Sequence, residues 1–548
     1  MNSRSDSHSQ DTKTLVEDSD NHCQNRCSQY TWKAIHFFNR SVLPRVFSVA
    51  EMQFPNESFI EGDLFWGKAS ELFSDDGRGV DRILIEQAAP VAKKNIGGIA
   101  HWRFGPTRIA VLLTKPDDIK STILENKQNI YFHDTTGSFK LFFGPNTIFN
   151  APYQSPDWVH SRTRFLKTLF SATSLQKNVA TMQDISNKFI TTIVKNNYSI
   201  DNLEQFANSI TMDMIGQTKL GLKHIDESVK EKISAIIASA TIAIANPTNQ
   251  IINEYLPFVK YFYKSHLQTL LDEGFTVLRE EVIKPNADNI LSTSNWLNED
   301  GNKADLDLYS KNIVYEITQF LVAGHETTAK LLLMSLLLLG DSSHKDILDK
   351  VHQEISAKNS APQEWQHEDF ENMPYLNAVL NEVLRLYPPI PDMVFKVANP
   401  FPIAAGHVKQ DDLIIISPRI THRLQSIWGD DADQFRPERF LEKKFNDYEH
   451  FPFGFMPRQC VGRNFSMQEV KLALSRLIYL FDLKHDLHHP FPHHQIFTLR
   501  IDLEKIHMKF SLRNSLKEQE SNTHEAAQNH AQSAALLTEE DLKPSFRL

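Results

Sequence analysis

The spacing of apolar and polar positions divides the chain into a central folding region and two tails. Residues 1–29 are rich in Ser, Asp, Asn and Gln and offer little to bury, which predicts disorder. The tail from about residue 514 is polar in the same way and predicts disorder or a detached helix. Between them, "IAHWRFGPTRIAVLLTKPDDIKSTILEN" places two strand-like runs about Gly105 and Pro106, and Pro116 suits the first turn of a helix that follows. From about 155 to 395 the apolar spacing is mainly helical, and "DLIIISP" from Asp412 and "FTLRIDLEKIHMKFSL" from Phe497 return to strand composition. The pattern predicts a mainly α fold with a smaller β-rich part.

Two apolar stretches raise the question of membrane contact. The run "LLLMSLLLLG" from Leu331 to Gly340 falls far short of the ~20 residues that span a bilayer, so it reads as a buried core helix. The segment "YTWKAIHFFNRSVLPRVFSVA" mixes Trp32, Ile35, Phe37, Phe38 and Phe47 with Lys33, Arg40 and Arg45, and Pro44 breaks it. It suits either an interfacial helix giving peripheral membrane contact or a segment packed on its own domain. No transmembrane anchor and no secretory signal is read from the polar opening "MNSRSDSHSQDTKTLVEDSD".

Composition narrows the class. With 41% hydrophobic and 23% charged residues in 548, and no internal repeat or Gly/Ser linker, one large domain with tails is expected. A net charge of -10 argues against nucleic acid as a partner. The three cysteines, Cys23, Cys27 and Cys460, are too few for a disulfide framework, which fits a reducing, cytoplasmic setting. Cys23 and Cys27, preceded by His22, could bind metal, be acylated or be free thiols. His485, His488, His489, His493 and His494 fall within ten residues, a density that could hold a divalent metal, but an exposed loop between a helix and the terminal strands explains them without metal and is the expectation.

Four constellations carry chemistry. "LVAGHETTAK" sets Glu326, Thr327 and Thr328 in an apolar helix, with Gly324 nearby; such a turn can open the helix ladder for a ligand or water, or can be a polar turn tolerated in a core. "NEVLRLYPPIP" places Glu382 and Arg385 on one helical face, and Arg439 of "WGDDADQFRPERF" could complete a buried bracket of two arginines and one glutamate. The fourth, "FPFGFMPRQCVGRNF", brings an arginine, a cysteine and a glycine ahead of a helix from about Phe465.

Together these stretches resemble the cytochromes P-450, the haem-thiolate monooxygenases. The family's cysteine loop Phe-x-x-Gly-x-Arg-x-Cys-x-Gly is met by Phe453, Arg458, Cys460 and Gly462, with Met456 standing where glycine is usual. The resemblance extends to Ala323, Gly324, Glu326 and Thr327, to the Glu382/Arg385 pair, to Arg439, and to Trp158 and Arg162 of "DWVHSRTR". It implies a haem domain over about 55–513, with a polar extension at 1–54 and a polar tail at 514–548, and a long central helix over haem.

The resemblance implies Cys460 as thiolate ligand to the iron of noncovalent haem b, because Ala323 stands where one branch has a haem-esterifying glutamate. Trp158, Arg162, Arg458 and Lys396 are then expected at the propionates, and Phe453 and Gly462 around the ligand loop. Ala323 and Gly324 would leave room for dioxygen, which Thr327 hydrogen-bonds while Glu326 helps bring protons from solvent. Glu382, Arg385 and Arg439 would be structural. The implied reaction is insertion of one oxygen atom of O2 into a lipophilic substrate, with a texture closest to bacterial fatty-acid hydroxylases and their microsomal relatives. Electrons would come from a ferredoxin or flavoprotein reductase docking near Arg463 and Lys471, and the enzyme is expected to be a monomer. A peroxygenase or hydroperoxide-processing enzyme, or a non-enzymatic haem sensor, would retain the same cysteine.

Overall fold

A computed structural model describes residues 59–60, 78–94, 98–104, 108–132, 142–144, 147–223, 225–245, 266–293, 311–403, 406–495, 498–502 and 505–513. The two tails, the 30–50 segment and the Cys23/Cys27 pair lie outside them. Within the described residues helices predominate over small sheets, as the apolar spacing predicts.

Strands β1 (Ile99–Arg103) and β2 (Ile109–Leu113) pair antiparallel, while the turn expected at Gly105 and Pro106 lies outside the described residues. Pro116 then starts helix α1 (Pro116–Glu125), where its missing N–H costs nothing. With β3 (Ile130–Phe132), β5 (Met393–Val397) and β8 (Leu413–Ile416), these strands form a five-stranded sheet in the order β1-β2-β8-β5-β3. The continuous apolar runs in β2 and β8 arise because both faces are covered: Val111, Leu113, Ile414 and Ile416 enter one core, and Ala110, Leu112, Leu413 and Ile415 another.

The helical part is built from α2 (Pro156–Thr168), α3 (Ala172–Lys195), α4 (Leu203–Ile215), α5 (Glu227–Ala245) and α6 (His266–Val277). They surround a long rod that runs from α7 (Lys311–Leu321) through a π turn (Val322–Glu326) into α8 (Thr327–Gly340). Val314–Gly340 is long and apolar enough to cross a membrane, but it lies mostly buried, and every residue from Thr328 to Gly340 is inside the protein. Apolar side chains on all sides of α8 are satisfied because helices close around it: α4, α10 (Pro374–Leu386) and α11 (Arg463–Leu480) all pack on it. α11 begins three residues after Cys460, so the central rod and the cysteine loop are tied to one core.

Near the C-terminal end, β9 (Phe481–Lys484) and β12 (Met508–Leu512) join β4 (Ser199–Ile200) in a three-stranded sheet. Between them β10 (His493–Gln495) and β11 (Leu499–Ile501) make a separate hairpin.

Candidate active site

The cysteine loop is fixed largely by its own backbone. Gly454 N–H donates to the Phe451 carbonyl (2.9 Å), Arg458 N–H to the Phe455 carbonyl (3.1 Å) and Cys460 N–H to the Phe453 carbonyl (2.9 Å). The reversal uses Gly454 at φ 67°, a conformation that costs glycine little. Beyond the cysteine, Gly462 caps α11, and the N–H groups of Gly462 and Arg463 donate toward the sulfur. Crowding by protein pushes the Cys460 thiol up, while these N–H groups and the Arg162 charge oppose that shift. The residue nevertheless keeps an exposed side. A Cβ at Gly462 would lie 3.8 Å from Sγ and 3.9 Å from the Phe170 ring, so glycine leaves that side of the sulfur clear.

Met456 is not among the non-glycine residues with positive φ, and its side chain is 56% exposed. The left-handed conformation falls on Gly454, two residues earlier.

Beside the cysteine, α2 brings up a cationic face. Ser155 caps the helix by accepting from Trp158 N–H, and Pro156 occupies its first turn, which sets Trp158 and Arg162 one turn apart. The Arg162 guanidinium lies 5.5 Å from the Trp158 ring, and that of Arg458 lies 5.4 Å from it. Arg458 donates to the Ile148 and Ala151 carbonyls at 3.2 and 2.6 Å. Burial and the neighbouring Arg162 charge bring Arg458 down to about 10, and burial also lowers Arg162. No carboxylate is paired with Arg162 among the described residues, and its charge is felt at the sulfur. Two adjacent half-buried cations, an indole N–H and a thiol with N–H groups aimed at it make a donor set suited to a dianionic ligand whose metal accepts a thiolate. Haem fits that set.

Lys396 does not join it. Its ammonium pairs with Asp411 at 3.0 Å, while its neighbour Phe395 shares a pocket with Arg458 and Tyr153. Strand alternation explains the difference, because Phe395 and Lys396 project to opposite faces of β5. Lys471 likewise departs from expectation: it is buried against Glu371 (3.4 Å) because α11 is enclosed on most sides. Arg463 is exposed and lies over the Phe453 ring.

Across from the cysteine loop, the rod is opened by the π turn. The Thr327 hydroxyl donates to the Ala323 carbonyl at 2.6 Å, and Thr211 of α4 donates to the His325 carbonyl at 3.0 Å. Both bonds satisfy acceptors in the widened turn. Gly324 has a packing reason rather than an oxygen-space reason: a Cβ there would meet Ile215 Cδ1 at 2.9 Å. Ala323 and Thr327 remain partly exposed. Glu326 is buried and turns away from Thr327; it accepts from the Thr498 hydroxyl at 2.9 Å and lies 3.4 Å from Arg500. Phe170 links the two halves, meeting Phe320 of α7 at 6.3 Å and Phe465 of α11 at 5.9 Å between ring centroids.

Glu382 and Arg385 of α10 meet Arg439 of the short helix Arg439–Glu442, away from solvent. Arg385 donates to Glu382 at 2.7 and 2.8 Å, and Arg439 donates to the same carboxylate at 2.9 Å. The remaining guanidinium hydrogens reach the Asp431 carboxylate (3.2 Å from Arg439) and backbone carbonyls, including those of His422 (2.8 Å) and Gln434 (3.1 Å), and Arg385 lies 4.9 Å from the Trp428 ring. The histidines of 485–494 diverge: His485 meets the Leu337 carbonyl, His488 and the His489 N–H face Asp341, His493 meets the Phe491 carbonyl, and His494 pairs with Asp502.

Sequence reasoning passed over Phe170, Thr211, Ile215, Thr498 and Arg500. Only the last two left a trace, the polar alternation Thr498, Arg500, Asp502 on one side of an otherwise apolar strand.

The cytochrome P450 family model matches residues 85–508, more than half of the chain. The chain is 28% identical over 369 residues to a bifunctional cytochrome P450/NADPH–P450 reductase of Alternaria alternata, covering 65% of this chain and 33% of that protein. It is 26% identical over 387 residues to a bifunctional cytochrome P450/NADPH–P450 reductase of Bacillus subtilis, covering 67% and 35%. With cytochrome P450 3A12 of Canis lupus familiaris it shares 25% identity over 414 residues, covering 70% and 78%. The match thus spans about a third of the length of the fused relatives. On the family match and the thiol-centred site together, the chain belongs to the cytochrome P450 family, whose cofactor is noncovalently bound haem b.

Proposed function

We propose that the protein is a haem-thiolate monooxygenase that places one oxygen atom of O2 into a lipophilic substrate, with electrons from a separate ferredoxin or flavoprotein donor. The observation that carries this reading is Cys460 just ahead of α11, with the Gly462 and Arg463 N–H groups aimed at its sulfur. Bound haem supplies the activation of dioxygen. Cys460 supplies a thiolate whose basicity those N–H groups limit. Arg162, Arg458 and Trp158 supply charge and donors for the two carboxylates of the cofactor.

The remaining residues bind and protonate. Thr327 offers a hydroxyl on the partly exposed side of the π turn, and Glu326 is the carboxylate next to it in the chain. A small apolar void of about 30 Å³ between α5, α6 and α7 is walled by Ile233, Ile237, Leu271, Phe275, Leu321 and Val322 and reaches the first residue of that turn. Its polar member Thr318 already donates to the Val314 carbonyl at 2.7 Å, so the wall asks nothing polar of its ligand. The void is far too small for a lipid, so it is the apolar chemistry of this wall, and not its volume, that supports a lipophilic substrate, a fatty acid among the candidates. The fused reductases of the Alternaria and Bacillus relatives support electron delivery from a reductase-type donor.

The test is oxygen uptake with a panel of lipophilic compounds, each first screened for the spectral change that follows loss of a water ligand from ferric haem. Product formation that requires reductant and donor supports the monooxygenase. Product formed with hydrogen peroxide alone, and none with donor, would transfer the assignment to a peroxygenase.

A further inference from the structure

A lysine is buried on the cysteine side of the site, where the chemistry described above gives it no part. α4 runs on into a second π turn, Gly216–Leu220, which carries Lys219 into the protein until only 1% of the residue is exposed. Its ammonium donates to the Leu169 carbonyl and to the Ser174 hydroxyl of α3, the latter at 3.0 Å. It also lies 4.5 Å from the centre of the Phe465 ring and 5.6 Å from that of Phe170.

Glu469 completes the arrangement. It follows Phe465 by one turn on α11, it is as deeply buried as the lysine, and neither carboxylate oxygen has a hydrogen-bond partner among the described residues. Burial draws the Lys219 ammonium down to about 7 and pushes the Glu469 carboxyl well above the usual range, and each charge opposes the shift of the other. Burying two such groups is costly, and apolar side chains of similar volume would pack α11 at least as firmly. Packing alone does not account for them.

The place of the pair supplies a target. A Cβ on Gly462 would lie 3.9 Å from the Phe170 ring and 3.8 Å from Cys460 Sγ, so Phe170 borders the sulfur. Phe465 stands 5.9 Å from Phe170 between centroids. One layer of aromatic rings thus separates the Lys219 ammonium from the ligand loop, and apolar rings screen a charge far less than water does. Arg162 and Arg463 already act on the sulfur from partly exposed positions. Lys219 adds a cation from the interior, and Glu469 favours its charged form.

We propose that Lys219, held charged by Glu469, is a positioning residue for electron entry, its ammonium acting through the Phe170–Phe465 layer to favour the reduced state of the cofactor. One electron passes from the external donor to ferric haem and gives ferrous haem; no bond or proton changes at Lys219, whose positive charge offsets the negative charge gained. This rests on the proposed ligation by Cys460.

The experiment is an optical redox titration of the haem-loaded full chain, without substrate, for wild type, Lys219→Met, Lys219→Arg and the double variant Lys219→Met with Glu469→Gln, each also read as its reduced carbon monoxide spectrum. A unit charge on the order of 12 Å away at an effective dielectric of about 20, less the opposing carboxylate, sets the expected size. Lys219→Met is expected to favour ferric haem by about fivefold, a potential lower by about 40 mV for one electron. The double variant is expected to show the same fall, and because it leaves no buried charge unpaired it keeps the test open where the single variant does not fold. Lys219→Arg retains the charge and is expected to retain the potential. The fall should be the same at low and high salt, as a buried charge requires and an exposed one does not. A double variant with a thiolate-type spectrum and the wild-type potential, or a folded Lys219→Arg with the potential of Lys219→Met, overturns the inference alone. Wild type without a thiolate-type spectrum overturns the ligation by Cys460, and this inference with it.

Discussion

Arg385 grips Glu382 with two hydrogen bonds, Nε to Oε2 at 2.7 Å and Nη2 to Oε1 at 2.8 Å, and neither side chain has any exposure to solvent. Burial lowers the Arg385 guanidinium, and the Glu382 carboxylate works to restore it. The cost of dehydrating both charges is offset because Arg439 and several backbone carbonyls complete the bonding.

Removing one partner leaves the other charged and buried. Glu382→Ala or Arg385→Ala is therefore expected to cost about 3–5 kcal/mol. Thermal unfolding and haem content check this: apoprotein or aggregate is the expected outcome, and a stable, fully loaded variant would place the pair outside the stabilising core.

Thr327 has both a structural and a chemical part. Thr327→Ala leaves the Ala323 carbonyl without its 2.6 Å partner, which predicts a loss of about 1 kcal/mol. In turnover it should retain substrate binding while product per reducing equivalent falls by about tenfold or more, the deficit appearing as peroxide. Coupling equal to wild type would remove Thr327 from proton delivery.

The ligand loop makes opposite predictions for two positions. Met456 is exposed and free of positive φ, so Met456→Gly should keep haem binding and lower stability by about 0.4–1 kcal/mol through the greater freedom of the unfolded chain. Gly454→Ala meets φ 67° and should cost about 1–2 kcal/mol. Denaturant midpoints of the two variants decide the order; a stabilising Met456→Gly would mean that methionine strains the loop.

His325 makes the fold sensitive to acid. It is buried in the π turn, with Nε2 3.3 Å from the Ser234 hydroxyl, and burial together with the Lys330 charge lowers it from 6.5 to about 4. The unfolded chain therefore binds a proton that the folded chain refuses between those values. The stabilisation is complete above about pH 6.5, declines as pH falls to about 4 and is flat below, at up to about 1.4 kcal/mol per pH unit. Denaturation midpoints across that range, with His325→Gln expected to flatten the slope, provide the check.

Much of the site was legible because its chemistry is local in the chain. The loop around Cys460, the turn around Glu326 and Thr327, and the i,i+3 pair Glu382/Arg385 each sit on one short element whose geometry follows from spacing. The strand runs in β2 and β8 and the proline start of α1 were legible for the same reason. What escaped depends on contacts between distant elements. Lys396 was assigned by its position in a motif, but strand alternation and Asp411 decide where it goes. Gly324 reads as space for a ligand until Ile215, more than a hundred residues away, is seen against it. Lys471 reads as a surface cation until the enclosure of α11 is known. Thr498 and Arg500 carry no motif at all, and only the fold brings them to Glu326.

The central claim, that Cys460 is the thiolate ligand of haem, is tested most directly by the absorption spectrum of the reduced carbon monoxide complex of wild type and Cys460→Ser. Serine keeps the size of the side chain but gives no soft anionic donor at neutral pH. Wild type is predicted to give the red-shifted, thiolate-type Soret band, and Cys460→Ser to lose it. A red-shifted band that persists in Cys460→Ser, or that wild type loaded with haem never gives, would contradict the assignment.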